Sequence, residues 1–240
     1  MRDTVYQHGT TSTTGDIVDF AFNEAVVAVF PDMIRRSVPG YETMIPMTGL
    51  LAARALGEHG LAYDLGCSLG ATTQAVLAQN PSSNIRVIGI DNSEAMIEGA
   101  RQANTDQRAE FRLGDITDTP LNDADVVVLN LVLQFLDPDD RLVLLTRIQK
   151  EMRPGGLLLL SEKVTHAEPL LRDFFDHTHL AWKEANGYSR LEVSRKRTAL
   201  ENVMRIDSEE THIARLQEAG FSSITQWYRC LNWASFIAYA

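Results

Sequence analysis

Residues 61–73 read LAYDLGCSLGATT, a short apolar run followed by a glycine-bearing loop and the start of a helical pattern. The run is typical of a buried strand, and Gly66 and Gly70 permit the tight turn that returns the chain as a helix. That helix directs unpaired N–H groups and the positive end of its dipole at the loop. The end of such a strand is where open parallel sheets bind ligands. The sequence therefore predicts a small-molecule site at Gly66, Cys67 and Ser68.

Strand-like and helix-like segments continue to alternate beyond this loop. Apolar runs such as IRVIGID, ADVVVLNLVL and GGLLLLSEK are separated by helical stretches such as SEAMIEGARQAN and DDRLVLLTRIQKEM. This rhythm indicates βαβ units and a mostly parallel, buried sheet. Two β-branched and aromatic runs within residues 222–240 predict a terminal antiparallel strand pair. We therefore predict an α/β fold with seven strands, a C-terminal antiparallel pair and extra helices.

The N-terminal region has a different texture. Residues 1–16 are polar, threonine-rich and aperiodic, which predicts a mobile tail. Residues 17–58 have apolar side chains at helical spacing, interrupted by Pro31 and Pro39. Because proline and the residue before it resist the α conformation, we expect helix, turn and helix, with a loop at residues 38–41.

The remaining segment, residues 165–216, carries no convincing strand and predicts a helical insertion with a break at Asn186 and Gly187. The chain shows neither an internal repeat nor a low-complexity tract or linker. We therefore expect one domain over residues 1–240.

Composition excludes several classes of protein. With 32 acidic against 22 basic residues, the net charge of −10 argues against a protein that grips a nucleic-acid backbone. No apolar run approaches the roughly 20 residues of a membrane span. The N-terminus lacks the apolar core of a signal peptide, and the two cysteines are too few for a disulfide framework. We therefore expect a cytoplasmic protein without direct nucleic-acid or membrane partners.

The ligand at the loop is predicted to be a nucleoside without phosphates. Ser68 stands where the dinucleotide pattern G-x-G-x-x-G has its second glycine, so its side chain obstructs a pyrophosphate. Asp91 ends the second strand, about 20 residues past the loop, where a carboxylate accepts both hydroxyls of a ribose. The alternative is that Asp91 caps the following helix ahead of Ser93.

Two further strand ends carry polar side chains. Asp115 follows the third strand, where it can accept the exocyclic amine of adenine while Ile116 packs on the ring. The alternative is an ordinary Gly-Asp turn. Asn130 ends the fourth strand and has both a donor and an acceptor to orient a polar substrate. The alternative for Asn130 is a satisfied buried amide.

Together the loop, the acid after strand two, the Gly-Asp after strand three and the RPGG turn at residues 153–156 resemble the class I S-adenosylmethionine-binding fold. A narrower resemblance spans nearly the whole chain. It is to the carboxy-S-adenosyl-L-methionine synthases, bacterial enzymes upstream of uridine-5-oxyacetic acid formation in tRNA. The strings that carry it are VFPDMI (29–34), RSVPGY (36–41), YDLGCSLG (63–70), LQFL (133–136), LSEK (160–163), ANGYS (185–189) and LENVM (200–204).

This resemblance implies an unusual use of S-adenosylmethionine, which is a substrate and not a methyl donor. The family adds a carboxyl group to the S-methyl group, takes it from prephenate and releases phenylpyruvate, without a metal. Tyr41 is implied as part of a flap over the ligand, and Arg197 as the partner of the new carboxylate. The implied ligand contacts are Tyr41, Gly66, Cys67, Ser68, Asp91, Asn92, Asp115, Ile116, Asn130 and Arg197.

Residue chemistry agrees with that role for Arg197 but leaves an alternative. It belongs to Arg195-Lys196-Arg197, the densest basic cluster of an acidic chain, and a guanidinium can hold a carboxylate with two hydrogen bonds. The alternative is a solvated helix face. His177 and His179 do not predict a metal site, because residues two apart on a helix point to different sides. Cys67 lacks a second nucleophile partner, so a covalent role is not expected.

Two other functions remain open at this point. A conventional methyltransferase acting on a small molecule or tRNA would use the same fold. A non-catalytic adaptor could bind the nucleoside and stabilise a partner enzyme. No general-base constellation is visible in the sequence, and the sulfonium already acidifies its methyl protons. We also predict a homodimer through residues 168–216, which are rich in leucine and phenylalanine, and the N-terminal helices.

Overall fold

The computed structural model of the protein describes residues 24–192 and 203–240. The expected tail at residues 1–16 and Arg197 therefore lie outside the described residues. The helices are α1 (Glu24–Ser37), α2 (Tyr41–Leu56), α3 (Ala71–Gln79), α4 (Glu94–Ala103), α5 (Pro138–Glu151), α6 (Pro169–Ala185) and α7 (Glu209–Glu218), with a 3-10 turn at Leu133–Phe135. The strands are β1 (Leu61–Leu65), β2 (Arg86–Asp91), β3 (Ala109–Leu113), β4 (Ala124–Asn130), β5 (Met152–Thr165), β6 (Asp207–Ser208), β7 (Ser222–Cys230) and β8 (Trp233–Tyr239).

The predicted sheet is confirmed. Seven strands are hydrogen-bonded in the order β3-β2-β1-β4-β5-β8-β7, and β1 to β5 are parallel neighbours. β8 pairs antiparallel with both β5 and β7, which is the predicted terminal strand pair. The order reverses beside β1, so the carboxyl ends of β1, β2 and β4 border one crevice.

Apolar side chains cover both faces of the sheet, as expected for strands flanked by helices on both sides. On one face Tyr63 and Leu65 pack with Leu144 of α5. On the other, Ala62 and Val126 pack with Leu56 of α2. The alternation along β1 therefore assigns each helix layer to one face of the sheet. None of the described helices is long and apolar enough to cross a bilayer.

Two details of the predicted secondary structure were wrong. Pro31 does not interrupt the first helix but lies inside α1. The apolar side chains around it, including Phe30 and Met33, are buried with Met96 of α4, and this packing outweighs one missing backbone hydrogen bond. The second helix begins after Gly40, as expected.

The other error concerns the helical insertion, which contains the two-residue strand β6. β6 pairs with Val164 and Thr165 at the end of β5. Two residues show no periodicity in sequence, so the pairing depends on tertiary contacts. Asp207 accepts hydrogen bonds from Arg141 and Arg215, at 2.6 and 2.7 Å, and these hold the strand in place. The predicted break is confirmed, because α6 ends at Ala185.

The predicted turn before the fifth strand lies inside β5. Ala124 of β4 pairs with Met152 and Val126 with Leu157, so residues 153–156 bulge out of the ladder. Gly155, in a left-handed conformation with φ of 80°, donates its N–H to the carbonyl of Ala240. The bulge therefore ties β5 to the end of β8.

Candidate functional site

A cavity of about 650 Å³ opens at the carboxyl ends of the central strands, beneath α1, α2 and α6. The structure brings nine of the ten predicted site residues to its wall, and the tenth, Arg197, lies outside the described residues. The nine are Tyr41, Gly66, Cys67, Ser68, Asp91, Asn92, Asp115, Ile116 and Asn130. Residues from five separate stretches of sequence therefore meet at the crevice that the topology predicts.

The glycine-bearing loop is held in an unusual backbone conformation. Gly66 has a φ of 71°, and a Cβ atom there would lie 2.6 Å from Cγ2 of Val132. Ser68 also has a positive φ, 47°, which is rare for a residue with a side chain. The N–H groups of Gly66 and Cys67 both donate to the carbonyl of Ile90 at the end of β2. The loop therefore lies close against β2 and leaves room above it for a ligand.

Asp91 joins the second strand to this loop. Its Oδ2 accepts the N–H of Ser68 and its Oδ1 that of Ser93, both at 2.9 Å. Ser93, and not Asp91, is the N-cap of α4, because its hydroxyl accepts the N–H of Met96. Each carboxylate oxygen can accept a second hydrogen bond, so Asp91 retains acceptors for a ribose. Burial raises the pKa of this carboxyl.

Asp115 forms a turn and also lies at the wall of the cavity, so the turn-forming and ligand-binding alternatives are compatible. Its Oδ1 accepts both the N–H and the hydroxyl of Thr117, at 2.8 and 2.7 Å, which is a turn-forming role. The hydrogen bonds from Thr117 lower the pKa of the carboxyl, so it is ionised at neutral pH. Both of these bonds go to one oxygen, while Ile116 is buried at the wall of the cavity. The turn therefore presents a fixed carboxylate beside an apolar side chain.

Asn130 is only half satisfied. Its Nδ2 donates to the hydroxyl of Thr72 at 2.9 Å. Its Oδ1 is buried and has no hydrogen-bond partner in the structure. The amide of Asn130 is therefore not fully satisfied by the protein in this structure. The side chain of Asn130 lies at the wall of the cavity.

Tyr41 is placed by the turn between α1 and α2. Gly40, with a φ of 76°, accepts a hydrogen bond from the hydroxyl of Tyr228 through its carbonyl. A Cβ atom at Gly40 would collide with that hydroxyl. Burial and the nearby Asp64 raise the pKa of Tyr41, so its hydroxyl stays protonated and can donate. The turn therefore positions Tyr41 at the wall of the cavity.

Buried acids near the loop were not singled out from the sequence. Asp64, 2% exposed, accepts the N–H and the hydroxyl of Thr73 through Oδ2 and so anchors the first turn of α3. Burial raises its pKa to about 6. Its position directly before LGCSLG was the only signal that sequence offered.

Glu162 supports the opposite wall. Its two oxygens accept the N–H groups of Val132, Leu133 and Gln134, at 2.7 to 3.2 Å, and so hold the turn after β4 against the cavity. Burial raises its pKa to about 7, although these three amides oppose the shift.

Cys67 is buried, and its surroundings raise the pKa of the thiol well above its ordinary value. Burial has the largest effect, and the carboxyls of Asp64 and Asp91 add to it. A thiol held in the protonated form is a poor nucleophile, which agrees with the expectation of no covalent role. Within residues 24–192 and 203–240, no group of three or more His, Cys, Asp or Glu side chains could hold a metal ion.

The far end of the cavity carries side chains that sequence reasoning did not assign. They are Lys163 at the end of β5, His179 and Lys183 on α6, and Trp233 at the start of β8. His179 donates from Nε2 to the carbonyl of Ser37 at 2.8 Å. Spacing on α6 gave no signal, because the helix has an ordinary amphipathic pattern.

Comparisons with the sequences of known proteins identify the family of this chain. Residues 63–160 match the family model described as a methyltransferase domain. A carboxy-S-adenosyl-L-methionine synthase of Pseudomonas putida F1 is 49% identical over 230 residues, which cover 92% of this chain and 93% of that protein. The chain belongs to the carboxy-S-adenosyl-L-methionine synthase family. The synthase of Actinobacillus succinogenes is 47% identical with the same coverage.

Solved structures show how widely the scaffold of this synthase family is shared. Human N-acetylserotonin methyltransferase, solved in complex with S-adenosylmethionine, matches with a TM-score of 0.62 at 19% identity. The match covers 90% of this chain and 55% of the human one. The CurJ carbon methyltransferase matches with a TM-score of 0.66 at 14% identity, over 92% of this chain and 61% of that one. At such identities these structures establish the class I methyltransferase fold alone.

Proposed function

We propose that the protein converts S-adenosylmethionine and prephenate to carboxy-S-adenosylmethionine and phenylpyruvate. The observation that carries the proposal is the 49% identity with a curated synthase over more than nine-tenths of both chains. A scaffold likeness alone would not separate this reaction from methyl transfer, because the same fold hosts both.

The geometry of the cavity supports S-adenosylmethionine as one substrate. In the proposed complex Asp91 accepts the ribose hydroxyls, and Asp115 accepts the adenine amine while Ile116 packs on the ring. Asn130, at the wall of the cavity, orients the polar end of the ligand. Tyr41 closes over the ligand from the start of α2. Arg197 is proposed to pair with the carboxylate of the product.

The proposed reaction balances without a metal or an oxidant. Prephenate breaks its bond to the ring carboxyl group and releases carbon dioxide, and the electron pair makes the ring aromatic as hydroxide leaves. The hydroxide takes a proton from the S-methyl group, which the sulfonium acidifies, and becomes water. The resulting carbanion then attacks the carbon of carbon dioxide and forms the new carbon–carbon bond. This scheme uses the donor itself as the source of base, and no protein base is required.

The product would supply the carboxymethyl group for the modification of wobble uridine in tRNA, the role implied by the family resemblance. In this proposal the protein acts in the cytoplasm on small molecules, and a separate enzyme contacts the tRNA. The net charge of −10 supports the absence of direct tRNA binding.

We also propose a homodimer that covers part of α6. Leu170 is 75% exposed and Phe174 63% exposed, on one side of this helix. Exposed apolar patches of this kind mark interaction surfaces. Sedimentation at micromolar concentration should give a dimer, and Phe174→Glu should shift it to monomer. Wild-type protein that sediments as a monomer would refute this proposal.

The function is tested by incubating the purified protein with S-adenosylmethionine, with and without prephenate, and measuring the mass of the nucleoside product. The proposal predicts a nucleoside heavier by one carbon dioxide, formed only when prephenate is present. Formation of S-adenosylhomocysteine with an added methyl acceptor would indicate a conventional methyltransferase. Failure of the pure protein to turn over either mixture would favour a non-catalytic adaptor.

A further inference from the structure

The two ends of the cavity differ in their charged side chains. Asp91 and Asp115 lie at the end bordered by β2 and β3. Lys163 and Lys183 lie at the other end, bordered by β5 and α6. Asp176 of α6 also lines the cavity, so this end has two lysines and one carboxylate. The excess of lysine at this end indicates that it receives a different chemical group from the end with Asp91 and Asp115.

The register between β4 and β5 shows where Lys163 lies relative to Asn130 and the proposed nucleoside site. Asn130 pairs with Ser161 across β4 and β5, and side chains two residues apart on a strand share a face. Lys163 is therefore on the face of Asn130, just beyond the end of the pair. β5 is three strands from β2, so it is about 14 Å from the strand that carries Asp91, at about 4.8 Å per strand. In the proposed complex, with adenine at Asp115 and ribose at Asp91, the sulfonium end of the nucleoside extends towards β4 and β5.

An aromatic and imidazole cluster backs the two lysines. Lys163 pairs with Trp233 across β5 and β8, and its Nζ lies 5.8 Å from the centre of the indole ring. His179 meets the same ring edge-on, with centroids 4.6 Å apart. Lys183 is four residues after His179 on α6, so both are on one side of the helix, and only 6% of Lys183 is exposed. The cluster therefore joins cationic groups to an apolar floor.

We propose that Lys163, Lys183 and His179 form the subsite for the carboxylates of the carboxyl donor, a cyclic dicarboxylate whose apolar ring packs on Trp233. This inference rests on the proposed function, and it adds the place where the second substrate binds. An ammonium group has three N–H donors, so each lysine can keep contacts within the protein and still bind a carboxylate oxygen. Binding there places the departing carboxyl group beside Asn130 and the S-methyl group.

The test uses Lys163→Met and Lys183→Met, with Lys150→Met as the matched control. Lys150 is an exposed lysine on α5 outside the cavity. Prephenate binding is titrated by calorimetry into protein saturated with S-adenosylhomocysteine, which cannot react. We expect each cavity variant to weaken prephenate binding at least tenfold, about 1.4 kcal/mol, and the control to bind like the wild type. Affinity for S-adenosylhomocysteine should stay within about twofold in all three.

Different results would overturn the proposed subsite and the proposed function. Wild-type protein that makes no carboxylated nucleoside overturns the proposed function, whatever the variants do. Active wild-type protein with undiminished prephenate affinity in both cavity variants overturns the subsite alone. Thermal denaturation checks that each variant is folded. Lys163 is partly exposed, so Lys163→Met decides the question if Lys183→Met does not fold.

Discussion

The carboxylate of Asp91 accepts the backbone N–H of Ser68 at 2.9 Å, which joins the end of β2 to the loop that follows β1. The same carboxylate also receives the N–H of Ser93 at the start of α4. A side chain proposed to bind ribose therefore also holds the loop on which the nucleoside is proposed to rest. Loss of this carboxylate should affect the ligand directly and through the position of Ser68.

Asp91→Ala is expected to weaken S-adenosylmethionine binding by about 10- to 100-fold, because hydrogen bonds to a charged group contribute roughly 1.5–3 kcal/mol. Calorimetric titration measures the change. Asp118→Ala removes an exposed carboxylate outside the cavity and serves as the control. Equal affinities of Asp91→Ala and wild type would remove Asp91 from the ligand site.

Gly66 and Gly155 offer a matched pair of alanine substitutions. Both have a positive φ, 71° and 80°, so each alanine should cost about 1–2 kcal/mol of stability from backbone strain. Only at Gly66 does the new Cβ meet a neighbour, Val132 at 2.6 Å, whereas nothing lies within 4 Å of a Cβ at Gly155. Gly66→Ala should therefore be the less stable in urea denaturation and should lose ligand affinity, which Gly155→Ala retains. Equal losses in both variants would contradict the close approach at Gly66.

The buried carboxyl of Glu162 predicts a pH dependence of stability. Its pKa is raised from 4.5 to about 7, so the folded protein binds the proton more tightly than the unfolded chain does. The free energy of unfolding should therefore fall by about 3 kcal/mol as the pH rises from 4.5 to 7, and this contribution should be constant above 7. Asp64, with a pKa of about 6, acts in the same direction.

Glu162→Gln isolates the contribution of Glu162, because glutamine does not titrate. The free energy of unfolding of the variant minus that of the wild type should rise by about 3 kcal/mol between pH 4.5 and 8. This change is expected whether the variant is more or less stable than the wild type at pH 4.5. Denaturation at a series of pH values gives the difference. A difference that does not change with pH would mean that Glu162 is ionised throughout in the folded protein.

The residues at the proposed nucleoside end of the cavity could be predicted from the sequence because they lie at or directly after strand ends. Asp91 and Asn130 occupy fixed positions in parallel strands, and the carboxyl ends of such strands meet at one edge. Lys183 was not accessible, because α6 reaches the cavity through tertiary packing that no spacing in the chain encodes. β6 was not predicted for the same reason, since it pairs with β5 and is held by Arg141, which are both distant in sequence.

Arg197 lies outside the described residues, and its predicted role is tested by comparing two ligands. If its guanidinium pairs with the added carboxylate, Arg197→Ala should lose at least tenfold more affinity for carboxy-S-adenosylmethionine than for S-adenosylmethionine, since about 1.4 kcal/mol is a factor of ten. Arg197→Lys should recover only part of this, because an ammonium lacks the planar fork. Calorimetry with both ligands measures the losses. Equal losses for the two ligands would withdraw the carboxylate-binding role.

The central claim, that the carboxyl group of prephenate becomes part of the nucleoside, is tested most directly with prephenate that carries a heavy carbon isotope in its ring carboxyl group. The wild-type protein is incubated with this donor and unlabelled S-adenosylmethionine, and mass spectrometry follows the label. We expect the label to appear in a carboxylated nucleoside and the phenylpyruvate to be unlabelled. A nucleoside without the label, with all of the labelled carbon recovered as carbon dioxide or in unreacted prephenate, would contradict it.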